Sequence, residues 1–186
     1  MLAADFPQQI STLSRQNIQL CYHCHKCTSG CPVAEEMQYG PDRILRMVQL
    51  GQKERLLASA DIWVCAACET CGARCPNEID IAQVMDTLRQ TAYVEGVRVG
   101  EPDALKFHKL FLGLTGLFGR MHEASLMGIL TLQTRKLATD VGTIFKLLFK
   151  GKAPLLPKPV KQMDQIKRIY THARLHSKSG AKTKKP

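Results

Sequence analysis

Eight cysteines carry most of the chemistry open to this chain, and they fall in two runs of identical spacing. The first is Cys21, Cys24, Cys27 and Cys31, followed by Pro32. The second is Cys65, Cys68, Cys71 and Cys75, followed by Pro76, 44 residues further on. Each run reads C-x2-C-x2-C-x3-C-P, and together they use every cysteine present. A cubane of four irons and four sulfides needs one thiolate on each iron. Three cysteines three residues apart let one tight loop reach three corners, and the fourth lies about a turn further on, facing away. In two-cluster ferredoxins of this spacing the fourth cysteine ligates the other cluster. The expectation is therefore two [4Fe–4S] clusters. Cluster one is held by Cys21, Cys24, Cys27 and Cys75, and cluster two by Cys65, Cys68, Cys71 and Cys31. Ligation that crosses between the runs makes ligand binding part of folding, so the metal-free chain is expected to be disordered.

Other uses of eight cysteines fit less well. Structural zinc takes two cysteine pairs with a long gap between them, whereas these are complete, closely spaced quartets. Disulfide scaffolds belong to short exported chains, and the first residues carry Asp5 with neither a basic nor an apolar export segment. On that ground the chain is expected to be cytoplasmic. His23 and His25 lie inside the first run, but four thiolates already fill each cubane, so both are read as solvated or packing residues. Trp63 is read as packing beside cluster two. Thr28-Ser29-Gly30, Ala66-Ala67 and Gly72-Ala73 are small enough to let backbone amides approach the cluster sulfurs.

Helices are the elements available to hold these loops. Gly40-Pro41-Asp42 opens one, with Ile44, Leu45 and Val48 on its apolar face and Gly51 as its stop. A short second helix is predicted over Lys53–Ala60. After the second run Asp80 caps a helix whose Ile81, Val84, Met85, Leu88 and Ala92 recur at helical spacing up to Gly96. Beyond Gly100, Phe107, Leu110, Phe111, Leu114, Leu117 and Phe118 are predicted to share one helix face. Further helices are predicted near Glu123–Thr139, Val141–Phe149 and Met163–Leu175, with a proline-rich connector APLLPKPVK before the last and a flexible tail SKSGAKTKKP after it. The fold class is mainly α. The expected division is a two-cluster domain over 1–100, a helical docking extension over 101–151, and a connector, short helix and basic tail over 152–186.

The net charge of +10 is a property of the C-terminus: from Lys146 onward the sum is +11, and residues 1–145 sum to −1. The longest apolar run, Leu110–Gly119, is far short of the ~20 residues a membrane-spanning helix needs.

Paired CxxCxxCxxxCP motifs separated by helices resemble the α-helical ferredoxin superfamily, which includes the iron–sulfur domains of succinate dehydrogenase and anaerobic glycerol-3-phosphate dehydrogenase. The phrase CxxCxxCTSGCPV, the second motif WVCxxCxTCxxRCP and the Pro76–Ala82 segment look most like the C subunit of heterodisulfide reductase, over roughly residues 15–120. That resemblance implies a relay of electrons from a flavin-bearing A subunit to a catalytic B subunit with CCG motifs, which cleaves the coenzyme M–coenzyme B disulfide of methanogenesis. Hydrogenase or dehydrogenase components are further partners of such complexes. This chain has no adjacent Cys-Cys pair and no Gly-rich dinucleotide fingerprint, so it is expected to hold no catalytic site itself. Two rival readings stay open. One is an iron–sulfur protein passing electrons between a soluble dehydrogenase and a membrane quinone or cytochrome b partner. The other is a nucleic-acid-binding iron–sulfur or zinc protein, to which the basic end points but which lacks interleaved aromatic residues.

Overall fold

The structure, a computed structural model, describes residues 3–134 and 160–182. Among these residues every regular element is helical and none is a strand. The chain divides into two units, Met1–Pro102 and Asp103–Pro186.

In the first unit glycine and proline set the helix ends. Helix α1 (Phe6–Ser14) has Pro7 in its first turn, buries Phe6 and Ile10 on one side, and stops at Arg15, whose φ is 55°. After α2 (Lys26–Ser29), α3 (Gly40–Gln49) begins with Pro41 and buries Ile44, Leu45 and Val48. It closes with Gly51 at φ +66°, where the Gln52 N–H donates to Met47 O at 2.9 Å and the Gly51 N–H to Val48 O at 2.9 Å. Those two bonds satisfy carbonyls that a helix end leaves free, and they require a left-handed residue that glycine adopts without strain. A side chain at Gly51 would also start 2.5 Å from the Ala3 carbonyl oxygen. Helix α4 is Lys53–Leu57, shorter than the sequence predicts, and α5 (Asp61–Val64) and α6 (Thr70–Ala73) are single turns. Helix α7 (Ile81–Val94) starts on Asp80, whose carboxylate accepts the Gln83 N–H at 2.9 Å, and Gly96 follows its end at φ +67°. All five apolar positions predicted for α7 are buried.

The core lies where α1 crosses α3 and α7. Helix α7 also packs on α4, α5 and α6, while α3 packs on α2, α4 and the 3₁₀ turn Ile18–Leu20. Ile10, Ile18, Ile44, Ile62, Leu56 and Leu88 are completely buried there, each contributing roughly 1.5–3 kcal/mol relative to exposure.

These contacts form two matching halves. The turn Ile18–Leu20, α2 and α3 correspond to α5, α6 and α7, and α2 meets α6 across the middle. Backbone bonds repeat with the same 44-residue offset as the cysteines: Ser29 N–H to His25 O (3.0 Å) and Ala73 N–H to Glu69 O (3.1 Å), Cys31 N–H to Thr28 O (3.1 Å) and Cys75 N–H to Gly72 O (3.0 Å).

The second unit contains α8 (Pro102–Phe118), α9 (Glu123–Thr134) and α10 (Met163–Lys182). Of the stripe predicted to share one face of α8, Leu114 is buried, while Phe107 and Leu117 stand exposed. Tyr170 of α10 lies against Gly116, and its hydroxyl donates to Leu112 O at 3.0 Å. Helix α10 runs through Lys182, past the end predicted at Leu175, and the last residues of the predicted tail lie outside the described residues. The helix predicted at Val141–Phe149, the end of the one predicted from Glu123 and most of the proline-rich connector lie outside the described residues. No helix among the described residues is long and apolar enough to cross a membrane.

Candidate metal centre

Each cysteine run is shaped by the same unusual backbone. His23 and His25 in the first run, and Ala67 and Glu69 in the second, have φ between 51° and 60°. They occupy equivalent places, immediately before and after Cys24 and Cys68. A non-glycine residue in this region costs on the order of 1–2 kcal/mol, and four of them persist only where something over-determines the loop. Turns built on left-handed residues can aim successive N–H groups into one concavity, an arrangement that receives anions such as cluster sulfides.

The two runs come together. Cys31 lines one cavity with Cys65, Cys68 and Cys71, whose remaining wall is apolar except for Glu69: Val33, Met37, Pro41, Ala66, Ala67, Ala82 and Met85. On the other side, Cys75 lies close enough to Cys21 that its charge opposes ionisation of Cys21, after burial the next raising influence on that thiol. Burial likewise pushes Cys27 up and raises Cys71 to about 11. Cys68 runs the other way, because the Thr70 hydroxyl, 3.4 Å from its sulfur, can donate to the thiolate. Among the described residues no three His, Cys, Asp or Glu side chains converge as a single metal ion requires. Cys31, Cys65, Cys68 and Cys71 stand around one shared space, which suits four thiolates spread over four irons. The donor set and the two loops therefore fit a [4Fe–4S] group.

Helices α3 and α7 hold the loops through side chains that spacing alone does not single out. Gln49, the last residue of α3, donates through Nε2 to Ile18 O (3.0 Å) and Cys21 O (3.1 Å). Its Oε1 then accepts from His23 Nε2 at 2.9 Å, which fixes the imidazole tautomer with its proton on Nε2. Arg89 of α7 does the same work in the second half, donating to Ile62 O and, at 2.5 Å, to Cys65 O, while pairing with Asp86 at 3.0 Å. Asp42 is buried at the start of α3, where it accepts from the Thr28 hydroxyl and, at 2.8 Å, from His25 Nδ1. His23 and His25 thus pack the first loop onto α3. Asp61, also buried, accepts the Gln38 and Tyr39 N–H groups at 3.0 and 2.6 Å and ties the approach to α3 onto α5. Between the runs, a side chain at Gly30 would start 2.5 Å from Arg74 Nη1 and would displace the guanidinium from its place there. The sequence signal for the two anchors is Ile-x-x-Cys, present at Ile18–Cys21 and Ile62–Cys65.

Comparison with known proteins points the same way. The 4Fe-4S dicluster domain family matches residues 20–80. The iron–sulfur C 2 subunit of the CoB–CoM heterodisulfide reductase of Methanocaldococcus jannaschii is 40% identical over 81 residues, 44% of this chain and 43% of that protein. The C2 subunit of the H2/formate:CoB–CoM heterodisulfide, ferredoxin reductase of Methanococcus maripaludis is 28% identical over 82% of this chain and 73% of its own length. The C subunit of the ferredoxin:CoB–CoM heterodisulfide reductase of Methanosarcina acetivorans is 35% identical over 53% of this chain and 39% of that protein. The chain thus aligns with about half the length of several of these relatives. Residues 20–80 match the 4Fe-4S dicluster domain family, and the chain is similar to the C subunits of heterodisulfide reductases.

Proposed function

We propose that this chain is a non-catalytic electron-transfer subunit holding two [4Fe–4S] clusters. The first is held by Cys21, Cys24, Cys27 and Cys75, the second by Cys65, Cys68, Cys71 and Cys31. The observation that carries the reading is the cavity that Cys31 shares with the three leading cysteines of the other run. The clusters, when bound, supply reversible one-electron storage. The protein's part is to grip them from both halves, to aim backbone N–H groups through the left-handed residues around Cys24 and Cys68, and to leave those two cysteines exposed as edges toward partners.

By likeness to its relatives, the chain relays electrons in a heterodisulfide-reductase-type complex, from a flavin-bearing A subunit to a disulfide-reducing B subunit. The stretch 101–151 is the docking extension, because Phe107, Leu112, Leu117, Met127 and Ile129 are exposed on α8 and α9. Anaerobic reconstitution tests the cluster content: about eight irons per chain and two reducible EPR signals are expected. Iron near half that amount, or none reducible, refutes it. Anaerobic co-purification tests the relay, which fails if neither a flavin protein nor a CCG-motif protein accompanies the full chain.

A further inference from the structure

The two halves anchor their first cysteines through matching contacts, but with side chains of different charge. In the first half the carbonyls of Ile18 and Cys21 receive two hydrogen bonds from the neutral Gln49 amide. In the second half the carbonyls of Ile62 and Cys65, 44 residues on, receive two from the Arg89 guanidinium. Arg89 is largely buried, with 12% of its side chain exposed, whereas its ion-pair partner Asp86 is 49% exposed on the solvent side. Solvent screens the exposed partner more than the buried one, so Cys65 has a largely buried cation beside it, while Glu69 on the wall of the same cavity is exposed and screened like Asp86. Each half also holds a buried carboxylate: Asp42 in the first, bonded to Thr28, next to Cys27, and to His25, next to Cys24, and Asp61 in the second, bonded to the Gln38 and Tyr39 N–H groups. Arg46, which donates to Gln49 in the first half, is exposed, so the largely buried Arg89 is what separates the two halves. Arg74 lies against Gly30, and these two residues directly precede Cys75 and Cys31. Its charge is therefore shared by both sites and does not distinguish them.

A cluster gains negative charge on reduction, so a fixed cation beside it raises its reduction potential and a buried anion lowers it. We infer that Arg89 is a positioning residue that sets the order of the two potentials, so that the site of Cys31, Cys65, Cys68 and Cys71 is the more oxidising one and holds the first electron. The inference rests on the two-cluster reading above. It gives the relay a direction within the chain, with electrons entering at the Cys24 edge and resting nearer the Cys68 edge.

The test is an EPR-monitored potentiometric titration of the anaerobically reconstituted full chain. Dithionite is the reductant, at about pH 8, where an ordinary imidazole is neutral. Wild type is expected to show two separate waves. Arg89→Gln, which copies the neutral anchor, is expected to move only the higher wave downward, by about tenfold in its equilibrium constant, or 59 mV for one electron. Arg89→Lys, which keeps the charge, is expected to hold that wave near its wild-type place. The reciprocal Gln49→Arg is expected to raise the lower wave, and it carries the test if the Arg89 variants fail to load iron. Coincident waves in wild type with full iron overturn the charge asymmetry alone. So do a fall of the lower wave in Arg89→Gln, or equal shifts in Arg89→Gln and Arg89→Lys. Half the iron in wild type overturns the two-cluster reading itself, and the inference with it.

Discussion

Gln49→Ala removes an anchor whose contribution can be worked from its contacts. The Gln49 amide satisfies the carbonyls of Ile18 and Cys21 at 3.0 and 3.1 Å and accepts from His23 at 2.9 Å. All three bonds are partly buried, and each contributes about 0.5–1.5 kcal/mol net. Alanine returns a few tenths through helix propensity. The balance is a loss of about 2 kcal/mol, concentrated on the segment 18–24, because Ile18 itself stays buried and is not touched by the substitution. Native-state hydrogen exchange of the loaded protein reads this locally, since segments open with their own free energies. Amides over 18–25 should exchange about thirtyfold faster, and the equivalent stretch 62–69, anchored by Arg89, serves as the internal control. Unchanged protection over 18–25, or an equal loss in both stretches, would refute the anchor.

Asp80→Ala removes the side chain that caps α7 and should lower the stability of the first unit by about 1 kcal/mol, measured by denaturant unfolding, with Asp80→Asn restoring most of it. Leu88→Ala opens a cavity under a completely buried residue of α7 and should be destabilising by roughly 2–5 kcal/mol in the same assay. Burial raises Cys71 to about 11 and also pushes Cys21 and Cys27 up. The thiolates needed for iron are therefore held as thiols at neutral pH, and loading must release protons. Iron affinity, followed by competition with a chelator, should rise as pH increases from about 7 to 9; a flat or falling profile would contradict the direction.

The ligand pattern and helices α3 and α7 are legible in the sequence because their signals are local. Cysteine spacing, Pro41, the Asp80 cap and the periodic apolar residues each act within a turn or two. Helix α1 carries no such signal: its two buried apolar residues, Phe6 and Ile10, make too short a period to stand out, and its partners α3 and α7 are distant in sequence. The equivalence of Gln49 and Arg89 is hidden for a different reason. The stretch from the last cysteine to the anchor is four residues shorter in the second half, so the two anchors are 40 residues apart rather than 44, and one is an amide where the other is a guanidinium. On α8 the apolar stripe is real, but exposure of Phe107 and Leu117 depends on what packs beside the helix, which periodicity does not encode. Beyond Leu175 composition favours a tail, but composition carries no information about a helix already nucleated upstream.

Ligation that crosses between the halves is tested most directly by an anaerobic crystal structure of the iron-loaded chain. The expected result is Cys31 Sγ on the cubane of Cys65, Cys68 and Cys71, with Cys75 Sγ on that of Cys21, Cys24 and Cys27. A cubane held entirely by one run, or Cys31 and Cys75 unligated, would contradict it.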